Sequence, residues 1–551
     1  MKGLLQKAKA ELKGIGRRND NADSPGGFPG PAQQHQQHQH HPPGQHLDRP
    51  GAQHGQTQTI SEPTPLDIIR YRYHHGTNLG SIYVIERWLY GSRFPDGAEG
   101  SSELAAVKAW VDRIGIDATK QKFEEQWANA LSEEDIEWLA KTAKCTTIRL
   151  PIGYFDLPGD DFTKGTPFEP YAHVYSSAWN SIRTLISRLR AHSIGVLVDL
   201  HALPGGANNQ EHSGTNSGRA EFWSNPSNRA LGVRCCQLIA EDARTGSDIA
   251  GIQLANEAEW EAERMYEWYD DCIAAISSID PSIPVIISDG WNLDKAVGYS
   301  LQKNSIHAPL TNPVIIDTHY YWAFTEDDKS KSPQQIIREV DTKLAQLDGK
   351  EGSVVDRGAA QAIVGEYSCV LTEESWAKAG GTPKSELVLQ FGQAQSRRYQ
   401  KRAGGSFFWT YKMDWMPGGE WGFKAQSDAK SIVPQKYATL ASEEKSRLVE
   451  KARYERDGRM REAIKQHVDY WNGVDPNGHY EFEKYEHGWK VGFQDALAFF
   501  EGRATQGDKI GMLEMWVLKR VRESGYQGGF TWMFEQGVRR GIQDLYASAE
   551  I

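Results

Sequence analysis

From Tyr73 to about Leu440 the chain alternates short apolar runs with helical stretches, the pattern of a parallel sheet wrapped by helices. Four runs come first: H-H-G-T-N-L-G from His74, C-T-T-I-R-L-P from Cys145, I-G-V-L-V-D-L-H from Ile194 and I-A-G-I-Q-L-A-N from Ile249. Four more follow: I-P-V-I-I-S-D-G from Ile283, P-V-I-I-D-T-H-Y from Pro313, Q-A-I-V-G-E-Y from Gln361 and G-S-F-F-W-T-Y from Gly405. Eight strands with helices between them predict an α/β fold closed into a (β/α)8 barrel. One helix start is explicit: Ser132 caps, Asp135 takes the capping-box position, and Ile136 and Leu139 open the apolar face.

The pattern changes on both sides of this region. From about Ser442 the chain is charged, helix-forming and self-similar: Y-E-H-G-W-K-V-G-F-Q-D from Tyr485 matches F-E-Q-G-V-R-R-G-I-Q-D from Phe534. Both copies place glycines four apart, Gly488 with Gly492 and Gly537 with Gly541, where small residues admit close helix approach. This predicts helical hairpins packed on each other or on the barrel. Residues 19–62 are a Gln-, His-, Pro- and Gly-rich tract with too little apolar surface to offset the entropy of ordering. The expected division is 1–62 as a disordered tail, 63–440 as the barrel and 441–551 as a helical C-terminal region.

Composition narrows the function classes. The net charge of −11, with both signs interspersed, argues against nucleic acid as a partner, because phosphate binding needs a basic face. Eighteen Trp lean toward a carbohydrate binder, since indole stacks on the apolar face of a sugar ring, although most will fill core volume. The five Cys make no disulfide framework and no C-x-x-C pair, which fits an intracellular, cytoplasmic protein. No apolar run is long enough to form a transmembrane segment. At the N-terminus Leu4, Leu5, Ala8, Leu12 and Ile15 share one helix face opposite Lys2, Lys9, Lys13 and Arg17. That reads either as a weak membrane-surface or mitochondrial-targeting helix or as a solvated tail.

Chemistry enters where polar residues close the apolar runs. Six of the eight runs end in such groups: Arg149, His201, Asn256 with Glu257, His319 with Tyr321, Glu366, and Trp409 with Lys412. The C-terminal ends of barrel strands converge on one face, so these residues are expected to meet there. Glycoside hydrolysis needs one protonated and one ionised carboxyl flanking the bond, about 5–5.5 Å apart in a retaining enzyme. Glu257 and Glu366 are placed to be that pair, as general acid/base and nucleophile. Arg149 and Tyr321 are placed to keep Glu366 ionised, Asn256 to bond a sugar 2-hydroxyl, and Trp409 to stack beneath the sugar.

At these residues the chain resembles glycoside hydrolase family 5, and most of all its fungal exo-β-1,3-glucanase (glucan 1,3-β-glucosidase) branch. The likeness runs from about Gly76 to Phe423 through G-T-N-L-G-S-I-Y-V-I-E-R-W, I-R-L-P-I-G-Y, V-D-L-H-A-L-P-G, L-A-N-E, D-T-H-Y-Y, V-G-E-Y-S and F-F-W-T-Y-K, in the family's order. The resemblance implies Glu257 as acid/base and Glu366 as nucleophile, with Arg149, His201, Asn256, His319, Tyr321 and Trp409 in support. It also implies that Glu86 and Glu211 hold the hydroxyls of a terminal sugar and that Phe324 forms half of an aromatic clamp.

The chain departs from the branch at Ala258, at Ala202 with Leu203, and at Gln210, where the second clamp aromatic would stand. The expected activity is retaining hydrolysis of terminal β-glucosyl residues, with a β-glucoside or β-glucan substrate and with no cofactor or metal. The competing reading is a non-catalytic carbohydrate-binding or scaffold protein that keeps the barrel. The presence of both glutamates with their helpers favours the enzyme.

Overall fold

The computed structural model describes residues 60–309, 311–503 and 506–551. The N-terminal amphipathic segment and almost all of the low-complexity tract lie outside these residues. Eight parallel strands close a barrel in sequence order: β1 (His74–Asn78), β2 (Thr147–Gly153), β3 (Gly195–Ala202), β4 (Gly251–Gln253), β5 (Val285–Ser288), β6 (Val314–Trp322), β7 (Ala362–Leu371) and β8 (Gly405–Phe408). The β1–β8 pairing, His74 beside Gly405 through Thr77 beside Phe408, completes the ring. Each expected apolar run overlaps one strand. Their ends differ: β7 continues to Leu371, and β4 stops at Gln253, so Glu257 stands in the loop beyond it.

Period-two alternation sorts residues by height in the lumen. Leu197, Ile286, Ile315, Ile363 and Phe407 belong to one buried apolar cluster at the base of the strands. Above Leu197 on the same face of β3 come Asp199 and His201; above Ile315 on β6 come Asp317, His319 and Tyr321. The lumen thus passes from an apolar floor to a charged middle and then to the mouth.

The predicted helix start at Ser132 forms a reciprocal cap: Ser132 Oγ accepts from Asp135 N at 3.1 Å and Asp135 Oδ2 accepts from Ser132 N at 2.9 Å. Such a cap stabilises a helix by about 1 kcal/mol. Asp135 also accepts from Tyr411 Oη at 2.8 Å and pairs with Lys412 Nζ at 2.6 Å, tying this helix to the segment after β8. Lys412 therefore serves a structural pair, not the converging site.

The floor cluster continues into the C-terminal unit, whose helices are α1 (Ser442–Val474), α2 (Phe482–Glu501), α3 (Leu513–Glu523) and α4 (Thr531–Ser548). The repeated glycines lie at the crossing of α2 and α4. A Cβ on Gly488 would meet Phe534 O at 2.1 Å, and one on Gly537 would meet Tyr485 O at 2.2 Å. Gly492 against Val538 and Gly541 against Trp489 extend the same parallel contact. The repeats thus pack on each other, and the unit closes the end of the barrel opposite the strand C-termini. Glu535 of α4 accepts the backbone N–H groups of Val354 and Val355, and Arg72 pairs with Asp508 across the junction. Among the described residues no helix is long and apolar enough to cross a membrane.

Candidate active site

Arg149, in the middle of β2, is fully buried and organises the site. Its Nε donates to Gln253 Oε1 at 2.8 Å, Nη1 to Asn78 Oδ1 at 2.8 Å and Glu366 Oε1 at 3.0 Å, and Nη2 to Asn256 Oδ1 at 2.8 Å. Nη2 also lies 3.0 Å from Asp199 Oδ2. Burial opposes its charge, but Asp199, Glu366 and Asp317 outweigh burial and hold the guanidinium protonated.

Glu366 sits at an irregularity in β7. The register with β6 shifts between Thr318 and His319, and the register with β8 shifts between Val364 and Tyr367. Gly365 makes the bulge feasible: its N–H donates to Asp317 Oδ1 at 2.7 Å, and a Cβ there would meet that oxygen at 2.2 Å. The bulge brings Glu366 into the lumen, where Oε1 accepts from Arg149 and Oε2 accepts from Tyr321 Oη at 2.8 Å.

Glu257 comes from the loop after β4 with a left-handed φ of +43°. Its Oε1 is 2.9 Å from His319 Nδ1, and the other nitrogen of that ring is 2.9 Å from Asp317 Oδ2. Carboxylates on both nitrogens favour an imidazolium. One oxygen of Glu257, one oxygen of Glu366 and a nitrogen of His319 all lie within 4.8 Å of one another. This trio has the donor types of a metal site, but each member is already engaged: His319 by Glu257 and Asp317, Glu366 by Arg149 and Tyr321.

The two carboxyls are driven apart. At Glu257 burial pushes upward, yet the His319 hydrogen bond and the surrounding imidazoles prevail and bring it down to about 2. At Glu366 burial prevails and, with the Glu257 charge, raises the carboxyl against His319 and Arg149. Burial opposes the charge of His319, but Glu366 and Asp317 raise it well above its ordinary value. The pair therefore titrates in two separated steps, and in the free site the proton between them rests on Glu366. This is the reverse of the expected ionised nucleophile and protonated acid, because burial outweighs Arg149 at Glu366 while His319 holds Glu257 ionised.

The remaining predicted residues fall around this centre. His201 Nδ1 is 2.7 Å from Asp199 Oδ2, its Nε2 is 3.3 Å from Asn256 Nδ2, and its ring lies near-parallel to Trp409 at 5.9 Å. Trp409 joins Leu89, Tyr90 and Met413, with Trp88, Tyr321 and Trp421 packed around them, and Phe324 meets Tyr321 edge-on at 5.5 Å. Glu86 accepts from Trp88 Nε1 at 2.8 Å; burial raises its carboxyl to about 7 against the His201 charge and the Trp88 bond. Glu211 does not join the others. It opens a short turn, Glu211–Ser213, with an exposed side chain, and among the described residues it makes no hydrogen bond or ion pair with the carboxylate pair.

Several contributors were absent from the expected set, among them Asn78 and Gln253, which brace Arg149. Asp199 and Asp317 anchor the two histidines, and each stands two residues before its partner, so D-L-H and D-T-H carried the signal. Trp291 lines a pocket with Glu257, Ser288, Asp289, Asp317 and His319. His212 places Nε2 at 3.4 Å from Glu257 Oε2. Both belong to loops, where periodicity gives no direction.

A carboxyl pair on the C-terminal face of a (β/α)8 barrel, walled by indoles, defines a glycoside hydrolase. The chain belongs to the cellulase family, glycosyl hydrolase family 5, whose sequence model matches residues 111–391. A second model, the glucan 1,3-beta-glucosidase 3 C-terminal domain, matches residues 452–549. Glucan 1,3-beta-glucosidase 3 of Schizosaccharomyces pombe is 31% identical over 473 residues, spanning 86% of this chain and 95% of that protein. An uncharacterized glycosyl hydrolase of Saccharomyces cerevisiae is 29% identical over 493 residues, spanning 87% of this chain and 92% of that protein. Among solved structures, rutinosidase from Aspergillus niger is 17% identical with a TM-score of 0.49, covering 66% of this chain and 99% of its own.

Proposed function

We propose that the protein hydrolyses terminal β-glucosyl residues by double displacement, as an exo-acting β-1,3-glucanase or β-glucosidase. The observation that carries this reading is the approach of Glu257 and Glu366 to within 4.8 Å, with Arg149 and Tyr321 donating to the two oxygens of Glu366. That spacing suits direct attack and leaves no room for a water between carboxylate and sugar, as inversion would need. With the pair's shared proton moved from Glu366 to Glu257 as the sugar enters, Glu366 attacks the anomeric carbon while Glu257 gives that proton to the departing oxygen. Glu257 then takes a proton from water, whose oxygen displaces Glu366. Asn256 faces the 2-hydroxyl, Trp409 lies beneath the ring, and Glu86, with Trp88 beside it, closes the non-reducing end. The similarity to the fission-yeast protein named glucan 1,3-beta-glucosidase 3 supports a glucan or glucoside as substrate.

The test is hydrolysis of an aryl β-glucoside beside laminari-oligosaccharides, with product anomers followed by NMR. A β-configured first product supports the reading, and an α-configured one overturns it. Glu366→Ala should abolish turnover, and azide should restore formation of an α-glucosyl azide; wild-type activity in this variant removes Glu366 from the role. The reading extends to an intracellular, cytoplasmic location, supported by Cys145, Cys235, Cys236, Cys272 and Cys369, all free and buried. Fractionation of cells carrying the tagged full chain tests it. Flotation with anionic vesicles tests whether the segment through Ile15 holds the protein to a membrane surface.

A further inference from the structure

Glu257 is the half of the carboxyl pair that no strand holds. It stands four residues beyond the end of β4, in the left-handed backbone region that a non-glycine residue rarely adopts. The loop after β3 secures it from the side. Asn208 Nδ2 donates to the Glu257 carbonyl at 3.0 Å, and the Ala207 carbonyl accepts from Glu259 N at 3.2 Å. The loop has its own supports: Asn208 Oδ1 accepts from Gln210 N at 2.9 Å, Ser213 Oγ donates to Gln210 O at 2.6 Å, and Trp223 Nε1 donates to Ala207 O at 2.8 Å. His212 projects from this frame, 18% exposed, edge-on to His201 at 5.5 Å and 3.4 Å from Glu257 Oε2.

The two oxygens of Glu257 are therefore not equivalent. Oε1 is held by His319, which is anchored on Asp317. Oε2 is the oxygen left to exchange a proton with the leaving group and with water, and it is the one that faces His212. We propose that His212 is a positioning residue for the second half of the reaction, presenting Nε2–H to Oε2 and favouring the ionised form of Glu257 that acts as base on water. This rests on the reading of Glu257 as acid/base. In the step concerned the water oxygen bonds to the anomeric carbon, its proton passes to Oε2, and the Glu366–carbon bond breaks with its electron pair returning to Glu366.

A donor in this role should be neutral, so that it steadies the carboxylate without titrating alongside it. Burial, and then the charges of His201 and His319, push His212 down to about 4 against the pull of Glu257. The other charged or titratable groups around Glu257 are Glu86 after β1, Arg149 on β2, Asp199 and His201 on β3, Asp289 after β5, Asp317, His319 and Tyr321 on β6, and Glu366 on β7. Removing a neutral donor from a carboxylate raises its pKa.

The test compares the wild-type full chain with His212→Leu and His212→Gln on dinitrophenyl β-glucoside and on a glucoside with a poor leaving group. The dinitrophenolate needs no proton, so kcat/KM reports the first step and kcat the second. His212→Leu should lower kcat about tenfold with a pre-steady-state burst, while kcat/KM stays within about twofold. His212→Gln, which keeps an N–H near the same place, should recover most of kcat. On the poor leaving group the alkaline limb of kcat/KM should move upward by about one pH unit in the leucine variant, because Glu257 keeps its proton longer. Equal losses in kcat and kcat/KM, an unmoved pH limb, or failure of glutamine to rescue overturns the proposal. A wild-type enzyme that inverts configuration overturns instead the acid/base reading on which it stands.

Discussion

Arg149 reaches Asn78, Asp199, Gln253, Asn256 and Glu366 from one buried guanidinium, so the site is organised around a planar fork rather than a point charge. Lysine offers charge without the fork. Arg149→Lys should keep the barrel but lower kcat by about 100-fold and lower the melting temperature, since several buried acceptors lose their donor at once. A variant with wild-type kcat would show that Glu366 does not depend on this anchor. The titrations lead to a second expectation. One step of the Glu257–Glu366 pair lies below the usual carboxylate range and the other above it, and the chemistry uses the form between them. A plot of kcat/KM against pH should therefore be a bell whose limbs are farther apart than two ordinary carboxyls would give; a single sigmoid would show that one group alone governs the rate. Much of this site was legible because strand periodicity fixes direction: once Asp199 and His201, or Asp317 and His319, are on a strand, two-residue spacing puts both in the lumen. His212, Trp291 and the outward Glu211 belong to loops, so neither period nor motif spacing could fix where they point.

Most strands were visible as apolar runs because they are buried on both faces, as in Val-Leu-Val of β3 and Val-Ile-Ile of β5, whereas β1, His-His-Gly-Thr-Asn, was legible from its place in the alternation rather than from apolarity. The strand ends were not legible. I-A-G-I-Q-L-A-N reads as one strand, yet the ladder stops at Gln253, since Asn256 and Glu257 must leave the sheet to reach Arg149 and His319. V-G-E-Y likewise reads as continuous alternation, and only the register shift shows that Gly365 permits the turn that aims Glu366. Gly365→Ala tests that element. The added methyl would meet Asp317 Oδ1 at 2.2 Å, and Asp317 in turn holds His319. The expected outcome is a lower melting temperature together with a kcat reduced by about 100-fold, from loss of alignment as much as of stability. A melt and a kcat on an aryl glucoside check it: a stable variant with unchanged kcat would mean that the bulge does not aim the nucleophile.

The lumen of a barrel has two ends, and this chain uses them differently. At the strand C-termini the lining is charged and open to substrate; at the other end Leu197, Ile286, Ile315, Ile363 and Phe407 form one apolar cluster with Trp489, Phe493, Met512 and Trp516 of the C-terminal unit. The attachment is specific as well as apolar, because Glu535 takes two barrel N–H groups while bonded to Arg539, and Arg72 and Arg503 share Asp508. The Gly-x-x-x-Gly repeats were legible as close-packing sites, but the surface they would present was not, since repeat spacing does not say which neighbour is covered. Truncation after Leu440 should therefore expose the barrel floor and yield an insoluble or markedly less stable protein. Gly488→Val is the subtler probe: its side chain would meet the Phe534 carbonyl, separating α2 from α4 while leaving every residue of the site in place. Its melting temperature should fall by several degrees, and kcat on an aryl glucoside should stay within a few-fold in the fraction that remains folded. Because the altered contact lies at the far end of the barrel from Glu257 and Glu366, a stable Gly488→Val protein that had lost kcat would mean that the floor transmits strain to the mouth through strands such as β3 and β6, whose lower residues share one apolar cluster with the C-terminal unit and whose upper residues include the histidines.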